Sequence, residues 1–469
     1  MTSNNVLYVI AQNPLYNQSD KIPYIKSLLA RDDIRPFLDV DFIEDYIAKK
    51  SEDKTPRLLF NWYPKNAPCR YLKEHLDTPG VLIEEPISLD RLTQTLASEK
   101  FTHVCIAGYL NGQKVFEEAV AFIRTNYPEI KIIALANAAL LADTKGKVDY
   151  CLTGDTVTQM KNILGESLPA KFKPVIVKAT TNSTFGGITK STVYGLLITG
   201  FGCRYACDFC PSTAQWGNKE SYVCTVDEIY ETILHSRETL GLGDKPEITL
   251  SLAEPQGMGN LIWKEVFEKC KDLPFKCNLV TTTSSKVIAQ YDIDTLTKGN
   301  LRLSTVNIGV ETLLNGGYPK NWGVDLKAAI KRLQDSGIKV VLTYIIGFPH
   351  QNYENVIEEI HRIKELGASS HIVANLELQP GTPLFNQYQK DGLTLGVPSE
   401  LYAVPGHQAY KHPVFQPGFK DLTTLLDKAN EILDGTVTQL GVSLEDQILE
   451  FKENFTQIDL FHPYILTTN

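Results

Sequence analysis

Three cysteines on one short predicted loop constrain this chain of 469 residues more than any other feature. Cys203, Cys207 and Cys210 have the spacing Cys-x3-Cys-x2-Cys and follow an apolar, strand-like run at 193–199. Three thiolates on one loop can bind three irons of a [4Fe–4S] cube and leave the fourth iron without a protein ligand. The loop therefore predicts a cluster with one iron open to a second molecule.

Two other interpretations of these thiols, a zinc site and a disulfide, have less support. A zinc site takes a fourth Cys or His at ligand spacing, and the nearest further thiol, Cys224, stands alone at the start of a predicted helix. A disulfide suits a secreted protein, but no basic segment followed by an apolar one opens the chain. Nine cysteines, an odd and mostly scattered set, suit a reducing compartment. We therefore expect a cytoplasmic protein.

Charge and hydropathy limit the partners of the chain. With 46 basic and 55 acidic side chains it carries a net charge of −9, which disfavours binding to nucleic acid or to anionic membranes. No uninterrupted apolar run reaches the roughly 20 residues that a membrane-spanning helix needs. We expect no nucleic-acid partner and no membrane association.

Residues 1–167 alternate short apolar strands with amphipathic helices, of which 113–126 is the clearest. This alternation predicts an α/β domain with a parallel, doubly wound sheet that binds ligands beyond the carboxyl ends of its strands. The predicted strands are 6–10, 58–60, 81–83, 104–107, 132–135 and 150–152.

The rest of the chain divides into three predicted parts. Residues 168–190 are rich in Pro, Lys, Thr, Ser, Asn and Gly and predict a linker. Residues 191–389 repeat strand and helix and predict a six-stranded barrel with right-handed crossovers. Residues 390–469 predict a small helical cap with helices at 423–433 and 444–455. The predicted barrel strands are 193–199, 247–252, 276–283, 303–310, 339–346 and 371–378.

With an aromatic residue, Phe209, just before its last cysteine, the loop closely resembles the motif of the radical S-adenosylmethionine (AdoMet) superfamily. In that family AdoMet chelates the free iron, and the reduced cluster cleaves the sulfonium to give a 5′-deoxyadenosyl radical. The resemblance implies a partial (β/α)6 TIM barrel with Cys203, Cys207 and Cys210 as cluster ligands. It also implies that Phe209 packs near the adenine.

Three more residues at predicted strand ends resemble AdoMet-binding positions of the family. Glu254, in Ala253-Glu254-Pro255, is expected to accept hydrogen bonds from the AdoMet amino group, as a cationic ligand requires. Glu311 fits a carboxylate near the ribose hydroxyls. Gly347, in Gly347-Phe348-Pro349, is expected to let the chain approach the adenine or methionine closely.

The first region resembles, in layout, the Rossmann-like cobalamin-binding domain that precedes many radical AdoMet barrels. Pro380-Gly381-Thr382-Pro383 is also typical of enzymes with that domain. Family members usually have glycines after the fourth strand, where this chain has Ala136-Asn137-Ala138-Ala139, and no Asp-x-His-x-x-Gly marks a lower cobalt ligand. We expect any bound cobalamin to lack an axial histidine from this domain. A Rossmann-like domain without a corrin is the alternative.

The resemblance implies a cobalamin-dependent methyltransferase acting on an unactivated carbon of a small molecule or peptide. It also implies an external electron donor such as flavodoxin or ferredoxin. One alternative is a radical rearrangement, cyclisation or oxidation with a degenerate first domain, and another is a cluster- or cobalamin-sensing protein. A second cluster, as in methylthiotransferases, is disfavoured because Cys105 and Cys151 lie within apolar strands and Cys69 lies in a predicted loop.

Overall fold

The computed structural model describes ten segments of the chain: 4–17, 21–52, 59–63, 66–168, 172–185, 188–217, 219–222, 224–253, 258–314 and 317–433. The predicted site residue Glu254 and the predicted helix 444–455 lie outside these residues. Within the described segments, every helix is too short or too polar to cross a bilayer.

The first region forms a parallel sheet of five strands, in the order β3-β1-β4-β5-β6, which confirms the Rossmann-like prediction. In chain order the elements are β1 (Val6–Ala11), α1 (Ile22–Leu29), α2 (Val40–Glu52), β2 (Leu59–Tyr63), α3 (Ala67–His75), β3 (Gly80–Pro86), α4 (Leu89–Ser98), β4 (His103–Gly108), α5 (Gln113–Asn126), β5 (Lys131–Leu135), α6 (Asn137–Leu140), β6 (Tyr150–Cys151) and α7 (Thr156–Leu164).

Both faces of this sheet are buried, which is why its strands are apolar along their whole length. Along β1, Val6 and Tyr8 pack with residues of α3 and α7, whereas Leu7 and Val9 pack with residues of α4 and α5. The alternation follows from the period of two of a strand.

The second region contains six parallel strands in the order β8-β11-β12-β13-β14-β15, which form a curled half-barrel sheet and confirm the partial barrel. Its elements are β7 (Val175–Phe185), β8 (Ile188–Ile198), β9 (Gly200–Gly202), α8 (Pro211–Trp216), β10 (Glu220–Tyr222), α9 (Val226–Leu234), α10 (Ser236–Leu240), β11 (Glu247–Leu252), α11 (Ile262–Lys269), β12 (Lys276–Thr283), α12 (Ser285–Ile288), α13 (Ile293–Thr297), β13 (Leu301–Glu311), α14 (Leu326–Gln334), β14 (Lys339–Ile346), α15 (Tyr353–Glu365), β15 (Ser370–Asn375), α16 (Pro383–Lys390) and α17 (Lys420–Ile432).

The predicted linker 168–190 is wrong for most of its length. Strand β7 pairs antiparallel with β8 from Val175 opposite Ile198 to Phe185 opposite Ile188, and β2 pairs with β7 on the other side. The strand begins with three buried apolar residues, 175–177, but residues 180–184 are all polar, so its composition resembles that of a linker. Strand β2 of the first region therefore extends the barrel sheet, which is separate from the five-stranded sheet.

The segment between β1 and β2 packs against the cap instead of the first sheet. Side chains of α1 and α2 share a buried apolar cluster with Leu401, Val404 and Phe419. Arg31 forms an ion pair with Glu400 at 2.8 Å. Part of the predicted first domain thus helps to build the C-terminal cap, whose helix α17 was predicted.

Candidate cluster site and the cleft beside it

The cysteine loop begins at the carboxyl end of the first barrel strand, where barrel chemistry is placed. Cys203 follows β9, and Cys210 caps the amino end of α8 while its N–H donates to the Cys207 carbonyl at 3.1 Å. Gly202 takes a φ of +75°, and a Cβ there would collide with the Lys219 carbonyl. Glycine is therefore required where β10 closes on the loop.

The three thiols suit an iron–sulfur cluster in their chemistry and lie on one short loop. Burial raises the pKa of Cys207 to about 12. Burial also raises the pKa of Cys210. Bound iron would have to displace these protons, as metals do at thiol sites.

A single-ion site is not formed at this loop. Within the described residues, no three His, Cys, Asp or Glu side chains are grouped so that they could hold one metal ion. A cube has a different requirement, because each thiolate binds its own iron.

Residues from three barrel strand ends hold the loop in place. The Asp208 carbonyl accepts from the Leu384 N–H at 2.9 Å, and Asp208 Oδ1 accepts from the Tyr318 hydroxyl at 3.1 Å. The Phe209 ring makes edge-to-face contacts with Tyr318 and Phe348, with ring centroids 5.2 and 5.6 Å apart. Phe209 is thus half-buried at the loop, beside the Gly347-Phe348-Pro349 turn.

Glu311 occupies the predicted strand end but has a partner that sequence reasoning missed. It ends β13 with a φ of +64°, an unusual conformation for a residue other than glycine. Its carboxylate forms a buried ion pair with Lys320, on the 3-10 helix Pro319–Asn321. Burial alone would lower the pKa of Lys320, but the charges of Glu311 and Cys207 raise it above its ordinary value. No motif in the sequence marks Lys320.

The structure explains why position 347 is a glycine, and the explanation differs from the predicted one. Its φ is +110°, and a Cβ there would lie 2.5 Å from the Tyr410 hydroxyl oxygen. That hydroxyl donates to the Gly347 carbonyl at 2.9 Å. The space over Gly347 is therefore filled by the cap residue Tyr410, and a contact of Gly347 with AdoMet stays a prediction.

A fully buried carboxylate, also missed, connects the ends of β13 and β14. Glu359 Oε1 accepts from the Thr312 hydroxyl at 2.7 Å and the Leu314 N–H at 3.0 Å. Its Oε2 accepts from the Tyr344 hydroxyl at 2.9 Å and Gln351 Nε2 at 3.1 Å. Since Gln351 Oε1 also accepts from the Gly347 N–H at 2.7 Å, this network fixes both strand ends that face the site.

A cleft separates the carboxyl ends of β5 and β6 from the flank of the cysteine loop. Its cavity volume is ≈ 110 Å³, and it opens to the solvent. Phe201 and Trp216 stack along one wall with centroids 4.7 Å apart. The lining residues are Ala67, Pro68, Tyr71, Leu135, Ala136, Leu152, Thr156, Ile198, Gly200, Phe201, Gly202, Ser212, Gln215, Trp216 and Ala253.

Ala136, at the position where the family usually has glycine, takes a backbone conformation suited to glycine. Its φ is +57° and its ψ is −141°. Gln215 Nε2, from α8, donates to the Ala136 carbonyl at 2.7 Å. The loop after β5 therefore takes a glycine-type conformation at an alanine, and a hydrogen bond links it to the barrel.

The crevice between β1 and β4, where a sheet of this strand order usually binds its ligand, is closed. The Tyr109 N–H donates to the Ala11 carbonyl at 3.1 Å, and Asn111 Oδ1 accepts from the Asn13 N–H at 3.3 Å. A Cβ on Gly112 would collide with the Ala11 carbonyl. The cleft described above lies instead beside the carboxyl ends of β5 and β6.

The cysteines of the first region are core residues. Cys69 lies in α3, not in the predicted loop, and its buried thiol is 3.6 Å from the Val9 carbonyl that accepts from it. Burial raises the pKa of Cys105 within β4. These surroundings give a second cluster no support.

Comparisons with known proteins agree with this architecture. Residues 197–363 match the radical SAM superfamily. No curated protein matches the chain. The radical AdoMet methyltransferase TsrM from Kitasatospora setae, solved with cobalamin and a [4Fe–4S] cluster bound, is 13% identical with a TM-score of 0.53, over 83% of this chain and 78% of TsrM. The cobalamin-dependent AdoMet radical enzyme OxsB is 11% identical with a TM-score of 0.55, over 92% of this chain and 66% of OxsB. At these identities the likeness shows the fold.

Proposed function

Because residues 197–363 belong to the radical SAM superfamily, we propose that this protein is a cobalamin-dependent radical AdoMet methyltransferase acting on an unactivated carbon. The observation that carries the proposal is the cleft between the first sheet and the cysteine loop. TsrM and OxsB share the fold across both regions, and the first was solved with cobalamin bound while the second is cobalamin-dependent.

The chain's own residues have distinct roles in this proposal. Cys203, Cys207 and Cys210 would hold the [4Fe–4S] cluster, whose open iron would bind AdoMet. When bound, the cluster supplies the electron that cleaves AdoMet, and cobalamin carries the methyl group. Phe209 would pack against AdoMet and, with Phe348, exclude water from it.

Glu254, Glu311 and Gly347 are proposed AdoMet contacts. Glu311 Oε1 is bonded to Lys320, so only its second oxygen is left for the ribose hydroxyls in this arrangement. The AdoMet amino group would then be bound by Glu254.

The cleft is lined mainly by apolar and aromatic side chains, and we propose that cobalamin binds along it. Leu135, Ala136 and Leu152 line the side of the sheet, and Phe201 and Trp216 line the side of the barrel. No histidine is among the described residues that line the cleft.

The proposal is tested with AdoMet that carries a deuterated methyl group. Anaerobic protein, loaded with iron, sulfide and hydroxocobalamin, is reduced with titanium(III) citrate, and the corrin and nucleoside products are measured by mass spectrometry. Labelled methylcobalamin that forms with the wild type and with Cys224→Ala, but not with Cys207→Ala, supports the proposal. Cys224 is a buried cysteine outside the loop and serves as the matched control.

A second candidate is a radical rearrangement, cyclisation or oxidation with an empty first domain. The closed crevice between β1 and β4 favours it, because the usual ligand position of such a sheet is filled by protein. In the same assay this enzyme would release 5′-deoxyadenosine without any labelled corrin. The substrate in either case is proposed to be a small molecule or peptide, with flavodoxin or ferredoxin as electron donor.

A further inference from the structure

We propose that the cap loop, residues 408–418, holds the Gly347-Phe348-Pro349 turn in place for AdoMet, and that His412 is its positioning residue. The inference rests on the part of the proposed function that places AdoMet beside this turn. It is independent of methyl transfer and of cobalamin.

The cap loop is closed on itself by hydrogen bonds. The Gln408 N–H donates to the Gly418 carbonyl at 2.8 Å, and the Gly418 N–H donates to the Gln408 carbonyl at 3.0 Å. Gln408 Nε2 also donates across the loop to the Tyr410 and Phe415 carbonyls, at 2.9 and 3.2 Å. Because Gln408 is buried, these bonds are shielded from water, and the loop is a firm support for the side chains it carries.

Two neighbouring carbonyl groups of the turn accept hydrogen bonds from this loop. The Tyr410 hydroxyl donates to the Gly347 carbonyl at 2.9 Å, and His412 Nε2 donates to the Phe348 carbonyl at 2.8 Å. The His412 ring stacks on Phe415 with ring centroids 4.4 Å apart, which fixes the plane of the imidazole. The cap loop therefore holds the turn by its backbone.

The hydrogen bonds of His412 determine which of its ring nitrogens carries the proton. Nδ1 accepts from the N–H groups of Val414 and Phe415, each at 3.1 Å, because a backbone N–H can only donate. The proton therefore lies on Nε2, and the neutral ring donates it to the Phe348 carbonyl, which can only accept. The local bonds at Nδ1 thus aim the Nε2 donor at the turn.

The turn places an aromatic ring against the cysteine loop. The Phe348 ring contacts Phe209 and Tyr318, with ring centroids 5.6 and 5.8 Å apart. Gln351 Oε1 accepts from the N–H groups of Gly347 and Phe348, at 2.7 and 2.9 Å. The barrel thus holds the N–H groups of the turn, and the cap loop holds its carbonyl groups. Release of the carbonyl groups would free the Phe348 ring to leave Phe209, the residue proposed to pack against AdoMet.

The test separates the two nitrogens of His412 by substitution. An asparagine side chain accepts from the N–H two residues on, and asparagine before proline, here Pro413, favours a turn. His412→Asn should therefore keep the local bonds and the free energy of unfolding in urea, but it is too short to donate to Phe348. We expect the affinity of the oxidised, cluster-loaded protein for AdoMet, measured by equilibrium dialysis, to fall about fivefold, the equivalent of one neutral hydrogen bond.

Two further variants complete the test. His412→Gln has a longer amide that can donate to the Phe348 carbonyl, and it should restore the wild-type affinity. His407→Gln is the matched control, since His407 is a buried histidine of the same cap whose Nδ1 bonds to the Leu401 carbonyl at 3.0 Å instead of to the turn. It should leave the affinity for AdoMet unchanged even where it lowers the free energy of unfolding.

A His412→Asn protein that binds AdoMet as tightly as the wild type would overturn the inference alone. So would affinities that follow the free energy of unfolding across the three variants, since the role of His412 would then be structural. A cluster-loaded wild type that binds no AdoMet would overturn the proposed function as well. Should His412→Asn not fold, Tyr410→Phe, which removes only the hydroxyl that donates to Gly347, must weaken AdoMet binding, and unchanged binding would refute the inference.

Discussion

Replacing Glu359 by leucine should destabilise the barrel more than any surface change. The carboxylate accepts from five donors, and its side chain is fully buried; the donors are the Thr312 hydroxyl, the Leu313 and Leu314 N–H groups, the Tyr344 hydroxyl and Gln351 Nε2. Each donor left without an acceptor costs about 1–3 kcal/mol. Even if two of the five find new partners, the other three should lower the free energy of unfolding of Glu359→Leu by at least about 3 kcal/mol.

Glu359→Gln should cost less, about 2 kcal/mol, because one oxygen remains while the second position becomes a donor facing donors. The assay is urea unfolding of the metal-free protein, followed by tryptophan fluorescence, with the exposed neighbour change Glu358→Gln as control. The control should stay within about 0.5 kcal/mol of the wild type. If Glu359→Leu unfolds at the same urea concentration as Glu358→Gln, the network does not hold the strand ends and the reasoning is refuted.

Three further predictions concern the cleft and the cap. Ala136→Gly should stabilise the protein by up to about 1 kcal/mol in urea unfolding, because the φ of +57° strains alanine. The control Ala138→Gly lies within a helix and should destabilise the protein by about 1 kcal/mol. Burial lowers the pKa of His407 to about 4, so the folded protein resists its protonation and stability is lost as pH falls from about 6.5 towards 4. Between pH 7.5 and 5 the wild type should lose about 2 kcal/mol more than His407→Gln, and equal losses would contradict this. Trp216→Ala removes the stacked wall and should lower bound corrin several-fold, measured from the visible spectrum, while Trp322→Ala, an exposed tryptophan, should not.

The parts of the fold that sequence reasoning predicted are those whose periodicity is imposed by burial. Strands β12 and β14 have the predicted bounds, because each begins at a lysine and is buried along nearly all of its remaining length. Strand β7 was missed because half of its side chains are polar, which makes a strand and a linker alike in composition.

The candidate site divides in a similar way. The cysteines and Glu311 stand in local motifs, so their placement at strand ends followed from the sequence. Lys320, Glu359 and Tyr410 act through partners far along the chain or on the next element, and such contacts are set by the packing of loops. No local pattern encodes them.

The central claim is that a corrin and a cluster occupy neighbouring sites in one chain. Its most direct test is the corrin and iron content of protein purified without oxygen from cells supplied with cobalamin, by visible spectroscopy and mass spectrometry of an extract. The account predicts near-stoichiometric corrin beside a [4Fe–4S] cluster. Well-folded, cluster-loaded protein without corrin would contradict it and leave a radical enzyme whose first domain has no ligand.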